Sequence, residues 1–96
     1  MKVPEIETQF VACVSEVLKM GDHNVPQITS NSKPLEIPFF DSYSGVTAII
    51  AFEEKTGIDL SDLENQLFFD QKHRLSTIHQ IAQKIHELIS KKRSKA

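Results

Sequence analysis

Residues 41–57 read Asp41-Ser42-Tyr43-Ser44-Gly45-Val46-Thr47-Ala48-Ile49-Ile50-Ala51-Phe52-Glu53-Glu54-Lys55-Thr56-Gly57. The segment leaves a Pro-containing loop on an Asp-Ser pair, and both residue types favour helix starts. The apolar positions Val46, Ala48, Ile49, Ile50, Ala51 and Phe52 suit a well-buried helix. The β-branched residues among them would also suit a strand, but Ala48, Ala51 and the Glu53-Glu54-Lys55 finish favour helix. Gly57 supplies a left-handed stop.

Working outward, Ile6, Phe10, Val11, Cys13, Val14, Val17 and Leu18 recur every three to four residues and predict an amphipathic helix over 5–20. Pro4, Glu5 and Glu7 suit its start and Gly21 its end. Between these helices, residues 21–41 carry Gly21, Asp22, Asn24, Pro26, Pro34 and Pro38, the marks of a long crossover loop. Val25, Ile28, Leu35, Ile37, Phe39 and Phe40 predict that this loop is packed rather than free. After Gly57, Ser61 with Glu64 forms a capping box for a short helix through Phe68. Ser76 is expected to cap a last helix with Ile78, Ile81, Ala82, Ile85, Leu88 and Ile89 along one face. The predicted fold is a small all-α four-helix bundle, three main helices plus one short one, with a long loop between the first and second.

Composition narrows the function. The chain has 96 residues, 40% hydrophobic and 25% charged, which bounds it to one domain over 1–96, with a core of about 5–90. No run approaches the roughly 20 apolar residues of a membrane span, and the N-terminus lacks the apolar core of a secretory signal. The single Cys13 rules out an internal disulfide and is expected to be a buried small hydrophobe. A cytoplasmic location follows as the expectation. Four of the 11 basic residues, Lys91, Lys92, Arg93 and Lys95, lie in the tail 91–96. The remaining 7 face 13 acidic ones, so the body carries −6 and is a poor ligand for nucleic acid. The tail itself complements a helix C-terminus.

Ser42 is the residue with the most chemistry on offer. At a helix mouth it is either an ordinary cap or a reachable hydroxyl, at which a phosphodiester would be stabilised by unpaired N–H groups and the helix dipole. As a catalytic nucleophile it would need a positioned base and an oxyanion hole, and the sequence offers no such pair. His79 and His86 stand two turns apart and His23 and His73 are dispersed, so no metal site is expected. Phe68-Phe69 is expected to close the core.

The run from Asp41 to Glu54 resembles the signature of acyl carrier proteins, in which an Asp-Ser pair opens the second helix and a Leu-Glu-Glu-like element ends it. Phe52-Glu53-Glu54 stands at the matching distance from the serine, and Leu75-Ser76-Thr77-Ile78-His79-Gln80-Ile81 is similar to the family's approach to its last helix. The resemblance covers about residues 5–90. It implies a non-enzymatic carrier. Ser42 would be esterified by 4′-phosphopantetheine, delivered from coenzyme A by a phosphopantetheinyl transferase. The arm would hold an acyl or aminoacyl thioester and present it to acyl ligase, synthase or transferase enzymes of a lipid, polyketide or specialised pathway. Asp41 and Tyr43 would flank the attachment site. Ser44, Val46, Thr47, Glu53 and Glu54 would form the docking face of a monomer. The chain departs from the family at Phe40, where Gly is usual, and at Tyr43, where Leu is usual. Neutral Ser44, Gly45 and Thr47 stand where acids are common, which implies partners other than the usual ones. The alternative is an unmodified carrier-fold module for protein–protein interaction. A helix-turn-helix nucleic-acid binder ranks behind both, because no predicted helix has a basic face.

Overall fold

The computed structural model of the chain describes residues 1–63 and 66–94, the side chains of 93 and 94 apart. Three α-helices carry the fold: α1 (Val3–Met20), α2 (Ser42–Thr56) and α3 (Ile78–Ser94). Single 3-10 turns at Pro34–Glu36 and Ser61–Leu63 punctuate the two connections. Among the described residues there is no strand, only one isolated antiparallel bridge between Phe69 and Leu75.

The central helix is α1, which packs against both α2 and α3. Its face of Ile6, Phe10, Cys13, Val14 and Leu18 is wholly buried, as its periodicity predicts. From α2 come Ala48, Ile49 and Phe52, and from α3 Ile78, Ile81, Ala82, Ile85 and Leu88. Phe10 joins the layers. Its ring lies 5.8 Å from that of Phe52 and 6.0 Å from that of Phe68, and Phe68 meets Phe40 at 6.4 Å. Tilted aromatic pairs at these separations add attraction beyond area burial.

The long first connection has a structural task. The carbonyl oxygens of Ser32 and Ser30 accept from the N–H groups of Ile78 and His79, each at 2.8 Å. Thr77 completes the cap: its Oγ1 accepts from Gln80 N at 3.1 Å, and Gln80 Oε1 accepts from Thr77 N at 2.8 Å. The donors that a helix start leaves unpaired are thus met by a distant loop and a reciprocal capping box.

Several expectations change. Thr77, not Ser76, caps α3; Ser76 is buried and its Oγ accepts from Lys84 Nζ at 3.1 Å. The short helix expected from Ser61 through Phe68 is reduced to the 3-10 turn at Ser61–Leu63, and residues 66–68 lie in turn and bend. Its proposed capping partner Glu64 lies outside the described residues, as do Lys95 and the Arg93 side chain of the tail. Lys84 Nζ donates to Gln66 O and to Phe69 O, both at 2.6 Å, and so holds this segment onto α3. Phe40 is buried as expected, but Phe39 is 72% exposed; likewise Phe68 closes the core while Phe69 remains 38% exposed. In α2, Val46 and Ile50 face outward, so the helix is not buried all round.

Candidate functional site around Ser42

The start of α2 is fixed by Asp41. Its backbone is extended, and its Oδ1 accepts from Ser44 N at 2.9 Å and from Ser44 Oγ at 3.1 Å. These two hydrogen bonds, the backbone one first, hold the Asp41 carboxyl below the usual carboxylate range. The cap is therefore Asp41 assisted by Ser44. Ser42, at the first helical position, is exposed, and its hydroxyl makes no hydrogen bond among the described residues. Of the two serines, one is committed and one is open.

Gly45 sits on the inner side of this first turn. A Cβ built there would stand 2.8 Å from Phe68 Cε2 and 3.2 Å from its Cζ. The glycine therefore lets the mouth of α2 close onto the core, which explains a residue unfavourable within a helix. On the outer side, Tyr43 is 82% exposed, Val46 43% and Ile50 49%. Positions 43, 46 and 50 share one face of the helix.

The other residues of the expected docking face divide. Thr47 Oγ1 donates to Tyr43 O at 3.2 Å, a bond within the helix. Glu53 Oε2 accepts from Leu60 N at 2.8 Å, so this carboxylate ties the chain after Gly57 back onto α2. Glu54 is exposed. The next residue, Lys55, is paired with Glu16 and joins α2 to α1. A shallow cleft of about 70 Å³ lies between α2 and the following connection, lined by Val46, Ile49, Ile50, Glu53, Leu60 and Ser61.

Away from this end, burial pushes the Lys84 ammonium below its ordinary value while it spans the carbonyls of the 66–69 segment. Nothing in the local pattern marks Lys84 in advance; only the returning loop gives it a role. His79 Nδ1 approaches Glu7 Oε2 at 3.4 Å across α1 and α3, and His86 Nδ1 lies 3.3 Å from Met1 O. Among the described residues no group of three or more His, Cys, Asp or Glu side chains is placed to hold a metal ion. Cys13 is buried at the α1 interface, and desolvation raises its thiol. No described helix is long and apolar enough to cross a membrane.

Comparison with known proteins gave no match to a family model, to a curated protein or to a solved structure.

Proposed function

We propose that the protein is an acyl carrier protein whose Ser42 carries 4′-phosphopantetheine. The observation that bears the reading is the division of labour at the mouth of α2. Capping is done by Asp41 and Ser44, which leaves the Ser42 hydroxyl exposed and unbonded. In the loading step Ser42 Oγ bonds to the pantetheine-side phosphorus of coenzyme A. The bond from that phosphorus to the nucleotide breaks, and the hydroxyl proton passes to a base on the transferase. The bundle itself performs no chemistry in this scheme. Its order of helices and its two long connections serve to hold Ser42 at one end of a compact body, free to visit acyl ligase, synthase and transferase enzymes as a cytoplasmic monomer.

The resident residues act by position. The dipole of α2 and its first N–H groups favour a phosphodiester on the first helical residue. Tyr43, Val46 and Ile50 give partners an apolar surface in place of acids. The same face would serve an unmodified interaction module, and one experiment separates the two. The purified chain is incubated with coenzyme A and a phosphopantetheinyl transferase of broad specificity, then weighed intact. A gain of one phosphopantetheine that is lost in Ser42→Ala supports the carrier. No gain with several transferases supports the module.

A further inference from the structure

Phe39 occupies a conformation that its own residue type resists. Phe40 N donates to Ile37 O at 3.1 Å across a four-residue turn, with Pro38 second and Phe39 third. Phe39 has φ +69°, the left-handed value that this position of a type II turn demands and that glycine or asparagine usually supplies. Burial does not offset the strain, since Phe39 is 72% exposed. Yet the ring is held in place. It stacks on His23 with centroids 4.1 Å apart and planes within 2°. His23 in turn lies against Gly21, where a Cβ would stand 2.8 Å from His23 Cδ2. The two ends of the long loop thus cooperate to hold an aromatic ring out beside the start of α2, three residues before Ser42. Strain kept at an exposed, well-supported residue is a feature that clusters at functional positions.

We infer that Phe39 is a specificity-determining residue for the enzyme that loads Ser42, with His23 as its positioning residue. The inference rests on the proposed role of Ser42. Enzymes acting later react at the far end of a long flexible arm. The loading enzyme must bring a phosphorus atom to Ser42 Oγ, and so must cover the residues around it. The exposed large hydrophobic residues nearest Ser42 in the chain are Phe39 and the 82%-exposed Tyr43, and between them stands the exposed Asp41 carboxylate, bonded by Ser44. The contact is therefore chiefly aromatic, with the Asp41 carboxylate as the charge beside it.

The test uses the full chain and a phosphopantetheinyl transferase that loads the wild type, with kcat and KM measured separately. Phe39→Gly is expected to lower kcat/KM by about 10-fold, chiefly through KM, while its melting temperature stays the same or rises because glycine accepts the left-handed backbone freely. Phe39→Tyr keeps the ring and loads normally. His23→Ala raises KM, and His23→Phe restores it. Phe39→Gly loading with wild-type kcat/KM would overturn the inference and leave the carrier reading standing. A wild-type chain that accepts no group overturns both.

Discussion

Replacing Gly45 by alanine sets two physical effects against each other. Within an exposed helix the change stabilises, by about 1 kcal/mol in intrinsic propensity. Here the new methyl would stand 2.8 Å from Phe68 Cε2, closer than carbon atoms tolerate. The Phe68 ring cannot swing away cheaply, since it is buried and confined between Phe10 and Phe40. Overpacking of this kind costs about 1–3 kcal/mol. The net expectation for Gly45→Ala is a loss of about 1 kcal/mol, or a fall of about 5 °C in Tm for a domain this small. The assay is a double-mutant cycle with Phe68→Leu, followed by urea and thermal melts in circular dichroism. Phe68→Leu is destabilising alone, but in its background Gly45→Ala should gain its propensity benefit and become stabilising. A coupling of about 2 kcal/mol is the result expected for directly touching residues. A Gly45→Ala variant that melts several degrees above wild type, with no coupling to Phe68, would refute the steric account of this glycine.

Three carboxylates are expected to contribute to acid stability. Asp41, Asp59 and Asp70 each accept backbone N–H bonds that lower their titration in the folded chain. Their contribution is thus complete above the unfolded value of about 3.9 and is lost as pH falls through the folded values. Melting temperature should hold level from neutral pH to about pH 5 and then decline. The decline should be shallower in Asp70→Asn, and an acid limb unchanged in that variant would count against the assignment. Lys84→Met should cost about 1–2 kcal/mol by leaving loop carbonyls without their cationic donor. The amide of Ser76, bonded to Phe68 O at 2.9 Å, should then lose hydrogen-exchange protection, whereas a variant as protected as wild type would remove Lys84 from this role.

Much of the bundle was legible because helical periodicity reports burial directly. The α1 face from Ile6 to Leu18, the α3 stripe from Ile78 to Leu88 and the left-handed Gly57 at φ 72° all follow from sequence pattern. Most of the misreadings trace to contacts made at long range. Thr77 displaced Ser76 as the cap because Gln80 lies three residues beyond Thr77 and because the first loop claims the neighbouring donors. The Thr77-Ile78-His79-Gln80 capping box was itself present as a readable signal. The segment expected as a short helix through Phe68 runs through turn and bend at residues 66–68, where it meets Lys84, fifteen residues beyond Phe69 in the chain. Glu53 reads as an exposed docking acid until Leu60 returns to bond it. At the candidate site, Asp41 and Ser42 were legible as a pair, but the assignment of capping to Asp41 and Ser44 needed coordinates. Hydrophobicity groups Phe39 with the packing residues, and only the turn geometry sets it apart.

The central claim is that Ser42, and not its capping neighbour Ser44, is the residue made available for modification. Its most direct test is to load the purified chain from coenzyme A with a phosphopantetheinyl transferase and to locate the added group by peptide mass mapping. The account expects one phosphopantetheine on Ser42, retained in Ser44→Ala and absent from Ser42→Ala. A chain that gains no mass with any transferase tried, or that carries the group on another residue, would contradict it.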